Sequence, residues 1–234
     1  MPPLHAPPQT LQTLKSLHAQ SLHQESTLPP LPPRCTPAFN AIMADKFIAL
    51  EQDKAEFVYN LVRAINAKTV IEAGTSFGVS TIYLALAVAQ NVAAADTRTV
   101  AASAGRGVVI ATENELQKAE KARANWAVAF EGHDDVASVI DLRVGDLLET
   151  LKRDLGVVDF LLLDIWTPLA LPTLKLVQPS LRSGAVIIAD NTTAAYEDYT
   201  ALREYVEDPQ NGFRRMLLPF KGGLDMIIYE PGHN

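Results

Sequence analysis

The sequence predicts an α/β fold in which a mostly parallel sheet is covered by helices on both faces. Three observations predict it. Short β-branched runs alternate with helix-length apolar-periodic stretches over most of the chain. The first such run, Thr69-Val70-Ile71-Glu72-Ala73, opens into Gly74-Thr75-Ser76-Phe77-Gly78 and then a helix start at Val79-Ser80-Thr81. Acids also stand at the ends of the following runs, on the rim where open α/β sheets bind ligands.

The elements follow in order. Residues 1–40 read as a separate Pro-rich arm, and residues 41–234 as the main domain. In the arm, two proline clusters bracket a helix expected over Thr10–Gln24, with Leu11, Leu14, Leu17 and Leu22 on one side. This arm packs on the domain or on a second copy, so a homodimer is expected. Its His18 and His23 are five apart and do not share a helical face as a pair of metal ligands would. A second helix is expected over Ala44–Asn66, with the stripe Phe47, Leu50, Phe57, Leu61, Ile65. Strand Thr69–Ala73 leads to a helix over Val79–Gln90, and Asn91–Arg106, without periodicity, reads as a loop insertion.

Strand Val108–Thr112 is followed by a helix over Glu115–Phe130, in which Trp126 reads as core. Strands Ser138–Val144 and Val158–Leu163 come next, then a helix from Pro168 to Leu181 that Gly184 ends. Strand Ala185–Ala189, a helix over Tyr196–Glu207 and strands near Phe213–Leu218 and Asp225–Tyr229 complete the chain. The turn Lys221-Gly222-Gly223 makes the last two a hairpin, so one strand near an edge is antiparallel.

Bulk properties narrow the function. The chain has 234 residues, 48% of them hydrophobic, enough for one large core. A net charge of −7 without a basic run argues against nucleic acid or an anionic membrane surface as partner. The lone Cys35 excludes an intrachain disulfide and fits a reducing compartment, the cytoplasm. Met1-Pro2-Pro3-Leu4-His5 shows neither the basic nor the apolar part of a secretory signal. The apolar stretch Ile82–Ala95 is too short for a membrane span.

The loop itself points to a cofactor. A dinucleotide site wants Gly-x-Gly-x-x-Gly so that pyrophosphate can lie against backbone, but here Ser76 replaces the middle glycine. Glu72 at the strand end would repel pyrophosphate and suits an ammonium or sulfonium. Glu113 can accept both hydroxyls of a ribose, or cap the next helix; Asp146 can face the same ligand, or make an Asx turn.

On Glu72-Ala73-Gly74-Thr75-Ser76-Phe77-Gly78, Glu113 and Gly145-Asp146, residues 44–230 resemble the class I S-adenosylmethionine-dependent methyltransferases. The resemblance implies a Rossmann-like, doubly wound sheet of seven strands, mostly parallel with the last antiparallel. It implies that Glu113 holds the ribose of S-adenosylmethionine, Asp146 the adenine side, and Ser80 with the Gly74–Gly78 backbone, Thr75 and Ser76 among it, the methionine end.

A second constellation stands at the ends of the fourth and fifth strands: Asp164, Asp190 and Asn191. From spacing alone it is either a hard oxygen set for Mg²⁺ or another divalent cation, or a loop-holding Asp and a turn pair. Asp164-Ile165-Trp166-Thr167, Leu171-Pro172 and Gly184–Asn191 resemble the catechol and caffeoyl-CoA O-methyltransferases. That resemblance makes Asp164, Asp190 and Asn191 metal ligands, with Asp164 also near the cofactor, and Asp225 a substrate-binding acid. It also exposes a departure: Thr167 stands where those enzymes have a lysine base, and reads better as an N-cap before Pro168. Trp166 reads equally as an acceptor wall or a plug.

The expected function is methyl transfer from S-adenosylmethionine to a hydroxyl of a small, aromatic acceptor with metal assistance, Asp164 and Asp225 being the catalytic candidates. The alternatives are a metal-independent N- or S-methyltransferase, and a cofactor-binding protein without transfer activity.

Overall fold

The computed structural model describes residues 4–32, 36–95 and 107–232, with the backbone alone at Asn40 and Ala95. Cys35 and residues 96–106 of the expected loop insertion lie outside the described residues. In chain order the elements are α1 (Pro8–Ser26), α2 (Pro37–Met43), α3 (Gln52–Ala64), β1 (Thr69–Ala73), α4 (Val79–Ala95), β2 (Val108–Glu113), α5 (Leu116–Ala129) and α6 (Asp134–Ala137). They continue as β3 (Ile140–Val144), α7 (Leu147–Thr150), β4 (Val158–Leu163), α8 (Thr167–Val177), β5 (Leu181–Asp190), α9 (Thr200–Glu207), β6 (Phe213–Leu218) and β7 (Leu224–Tyr229).

The seven strands form one sheet in the order β3-β2-β1-β4-β5-β7-β6. The first five pair in parallel, and β7 runs antiparallel to both β5 and β6. The β-branched and leucine runs of β1, β4 and β5 are buried on both faces, which is why they lack polar alternation. Their period of two still divides the core. Val70, Phe160, Leu162 and Ile188 face one side with α1, α3, α4 and α5; Ile71, Leu161, Leu163 and Ile187 face the other with α8 and α9.

The arm helix α1 lies on α5 and α4. Thr10 Oγ1 donates to the Ala129 carbonyl at 2.6 Å, and His18 Nε2 meets the Tyr83 hydroxyl at 2.9 Å. Leu14 and Leu17 join the core, whereas Leu22 is exposed. Among the described residues no helix is long and apolar enough to cross a membrane.

Several expected boundaries are corrected. The helix expected over Ala44–Asn66 begins only at Gln52. Residues 46–50 are held out of helical form because Ser21 of α1 donates to the Phe47 carbonyl (3.3 Å) and accepts from the Ala49 N–H (2.9 Å). The helix expected to end at Gln90 runs on to Ala95, with the buried Asn91 donating to the carbonyls of Val62 (3.0 Å) and Ala67 (2.7 Å). Gly184 does not end a helix. It lies inside β5 with φ +74°, where the register against β4 shifts between Val158 and Phe160. The last helix starts at Thr200 after a run of turns. Thr167 is the first residue of α8, not its cap: Trp166 holds the cap position without a side-chain bond.

Candidate active site

The topology reverses between β1 and β4: from β1 the chain moves to β2 on one side, while β4 returns on the other. A crevice at such a point, beyond the carboxyl ends of the strands, is where open α/β sheets bind ligands. A cavity of about 600 Å³ opens there, lined by the Gly74–Phe77 loop, Ser80, Glu113, Asp146, Asp164, Trp166, Asp190 and Asn191. Residues 43–51 cover it. That cover is tied to α1 through Ser21 and stacks Phe47 on Phe77 with ring centres 4.4 Å apart.

The loop after β1 is shaped by sterics. Gly74 has φ +94°, and a Cβ there would lie 2.1 Å from the Asp164 carbonyl oxygen. Gly78 has φ +81°, and a Cβ would meet Trp126 Nε1 at 2.3 Å. Trp126, in the core as expected, donates instead to the Gly78 carbonyl at 2.9 Å. The loop then feeds the start of α4, whose first N–H groups have no helical partner and favour an anionic group.

Glu72 does not reach the cavity. It is wholly buried beneath the loop, where Oε2 accepts from the Thr75 hydroxyl (2.9 Å) and the Thr81 hydroxyl (2.5 Å). Burial raises its pKa, with hydroxyl hydrogen bonds from Ser80, Thr81 and Thr75 opposing. The expectation that Glu72 meets the cofactor directly is therefore corrected: it holds the loop from below.

Glu113 lines the cavity with its carboxylate fixed by two backbone donors. Ser76 N–H reaches Oε2 at 2.7 Å, and Glu115 N–H reaches Oε1 at 2.9 Å. Each oxygen keeps a lone pair free for a diol. Asp146 Oδ1 caps α7 by accepting from Leu148 N–H at 2.8 Å, and the residue borders the cavity. Lys118, which the sequence reading missed, completes this end; burial lowers its pKa against the pull of Glu113, Glu115 and Asp45. A fixed carboxylate with spare lone pairs, a bare-backbone loop and a helix start fit the adenosyl and methionine parts of the cofactor that the resemblance implies.

At the other end β4 and β5 pair through Leu163 and Ala189, which sets Asp164 and Asp190 side by side. The structure thus brings Asp164, Asp190 and Asn191 together, but it adds a residue the sequence reading did not include. Lys54 of α3, fully buried, places Nζ 2.6 Å from Asp190 Oδ1 and 2.9 Å from Glu51 Oε2. Asp190 Oδ2 accepts from Asn191 Nδ2 at 2.7 Å. Burial by itself would lower the Lys54 pKa, but the Asp190 and Glu51 carboxylates outweigh it and the net shift is upward. Burial raises Asp190 to about 6 against the pull of Lys54. Asp164 is pushed well above the usual carboxylate range by burial, then by the charges of Asp190, Glu72 and Glu51.

These donors do not fit a divalent cation as arranged. The ammonium already engages one Asp190 oxygen, the Asn191 amide engages the other, and a cation there would face Lys54. Among the described residues no group of three His, Cys, Asp or Glu is placed to hold a metal ion. The signal for Lys54 was in the sequence: it heads the helical stripe of Ala55, Val58, Tyr59 and Val62, and a charge on such a buried stripe needs a buried partner.

Asp225 is a further correction. It is buried outside the cavity, where Arg215 Nε donates to Oδ2 at 2.6 Å and Arg215 Nη2 to Oδ1 at 3.1 Å. Trp166 does wall the cavity, 39% exposed, with its ring edge-on to Phe39 at 5.5 Å.

This architecture and rim of acids define a class I methyltransferase. A family model described as a methyltransferase domain matches residues 71–192, over half of the 234 residues, and the chain belongs to that family. Solved structures share the fold. Cofactor-bound Rv0187 from MTB is 24% identical, with a TM-score of 0.68 over 94% of this chain and 91% of that one. The O-methyltransferase TomG from Streptomyces achromogenes, involved in tomaymycin synthesis and solved with SAM, is 20% identical, with a TM-score of 0.68 over 94% and 90%. An O-methyltransferase from Bacillus cereus, solved with SAH, is 19% identical, with a TM-score of 0.64 over 93% and 100%.

Proposed function

We propose that this chain moves the methyl group of S-adenosylmethionine to a hydroxyl of a small aromatic acceptor. The observation that carries the reading is one cavity of about 600 Å³ lined by Glu113, the glycine loop, Asp164 and Trp166, the loop after β1 lying between the rim of β2 and that of β4. Its size suits a small-molecule cofactor with an acceptor beside it. Solved neighbours bear O-methyltransferase names and hold SAM or SAH, which supports both the cofactor and the oxygen acceptor.

In this reading Glu113 accepts the ribose hydroxyls, Asp146 borders the adenine, and the Gly74–Gly78 backbone with Thr75, Ser76 and Ser80 takes the methionine end. Trp166 packs on the acceptor ring. Asp164 accepts the acceptor's hydroxyl proton; burial and the neighbouring carboxylates raise its pKa, and in its ionised form that makes it a stronger base than an ordinary carboxylate. A phenol with a pKa of about 10 is mostly protonated at neutral pH, so this removal is needed. The phenolic oxygen then forms a bond to the methyl carbon as the carbon–sulfur bond breaks, and the electron pair stays on sulfur as S-adenosylhomocysteine. Alignment in line supplies much of the rate. The divalent cation implied by resemblance supplies no step here, because Lys54 stands against its donors.

Methyl-labelled S-adenosylmethionine offered with phenols, catechols, amines and thiols tests the reading. Label in a phenol or catechol supports it. Label only in amines or thiols favours nitrogen or sulfur transfer, and cofactor binding without product from any acceptor favours a binding protein.

A further inference from the structure

We propose that Lys54 is the built-in cation of the acceptor end, and that this chain performs methyl transfer without a divalent metal. The chemistry rests on the methyl-transfer reading above; the claim about Lys54 rests on geometry. An acceptor oxygen that loses its proton becomes an anion beside Asp164, Asp190 and Glu51, all of which border the cavity. Positive charge must offset that crowd of carboxylates. Lys54 supplies it from behind, bonded to Asp190 at 2.6 Å and Glu51 at 2.9 Å.

Three features make the arrangement a fixed part of the fold. Lys54 sits on α3, whose apolar stripe is buried against α4, so its stem is locked by packing. Glu51 is one turn away on the same helix start. Asn191 turns its amide nitrogen to Asp190 and its oxygen toward Gly222, where an added Cβ would lie 2.8 Å from Oδ1. The φ of +58° at Asn191 holds it in that turn, a conformation that asparagine tolerates.

The lysine expected after β4 is Thr167, and Lys54 brings an ammonium to the same end from a helix far away in sequence. Lys54 is a positioning residue: it is fully buried and does not border the cavity. It acts by holding Asp190 and Glu51 and by balancing their charge.

The test titrates Mn²⁺ into the purified full chain and follows the free-ion electron paramagnetic resonance signal, a readout that needs no activity. The wild type is expected to leave the signal undiminished, while Lys54→Ala, which opens the carboxylate group, takes up one ion. Lys54→Gln keeps most of the stem without the charge and serves the same purpose should the alanine variant not fold. One Mn²⁺ bound by the wild type overturns the proposal, as does a folded Lys54 variant that binds none.

In the transfer assay, EDTA is expected to change the wild-type rate by less than about twofold. Lys54→Gln is expected to lower kcat by about 100-fold, the scale for losing one preorganised charge contact, with cofactor affinity kept and partial rescue in Lys54→Arg. Loss of activity in EDTA restored by Mg²⁺ overturns it. Failure to bind S-adenosylmethionine would instead sink the methyl-transfer reading, and the Mn²⁺ titration would still decide the role of Lys54.

Discussion

Replacing Glu113 by glutamine separates a structural role from a ligand role at one residue. Its carboxylate accepts from Ser76 N–H on one oxygen and from Glu115 N–H on the other. A glutamine offers one oxygen and one NH₂ group, so one of the two backbone donors must face a donor. Both N–H groups are only part-buried, so setting one against a donor costs about 1 kcal/mol, the low end for an unpaired group. For a domain of this size that lowers Tm by about 2–4 °C. The same exchange removes a charged acceptor from the ribose diol. Hydrogen bonds to a charged group contribute about 1.5–3 kcal/mol, so the S-adenosylmethionine Kd should rise about 10- to 150-fold. Calorimetry gives the Kd and a thermal melt gives Tm. A Kd within about threefold of wild type, outside the decade expected, would refute the assignment of Glu113 to the ribose. An unchanged Tm would refute its role as the clasp of the glycine loop.

Further outcomes follow from other contacts. Gly74→Ala forces a Cβ to 2.1 Å from the Asp164 carbonyl oxygen at φ +94°; the strain of about 3 kcal/mol or more should lower Tm by about 6–12 °C and abolish cofactor binding in calorimetry. Asp225→Asn breaks the ion pair with Arg215, so urea unfolding should show a loss of about 1–3 kcal/mol, while kcat stays within about twofold because the residue lies outside the cavity. Asp190, at about 6, keeps its proton in the folded protein over a pH range where the unfolded chain has lost it. The native state then binds more protons, so this carboxyl's stabilisation is present at low pH and is lost as pH rises from about 4 through 6, a fall of about 3 kcal/mol. Unfolding measured across that range should show the fall in wild type and lose it in Asp190→Asn.

Much of the fold was legible because its signals are local. The runs Thr69–Ala73 and Val158–Leu163 have no polar alternation, and such runs must be buried on both faces, so both strands fall where the sequence puts them. The hairpin at Lys221–Gly223 was equally local, and the antiparallel β7 follows from it. The misread segments depend on distant partners. Residues 46–50 carry a helical apolar pattern, yet Ser21 claims their backbone. Gly184 looks like a helix stop only until the register shift of β5 is seen.

The site divides in the same way. Glu113, Asp146, Asp164 and Asp190 sit at strand ends, so order along the chain brings them to one rim. The direction of a side chain is not local. Glu72 points down into the loop's hydroxyls, and Asp225 turns to Arg215 on the neighbouring strand. Lys54 lies 136 residues from Asp190, and only the packing of α3 on α4 brings them together.

A crystal structure of the chain with S-adenosylhomocysteine tests the central claim most directly. The account predicts the ribose hydroxyls on Glu113, the adenine beside Asp146 and the sulfur directed toward Asp164. A ligand seated outside this cavity, or reversed with its ribose at Asp190, would contradict it.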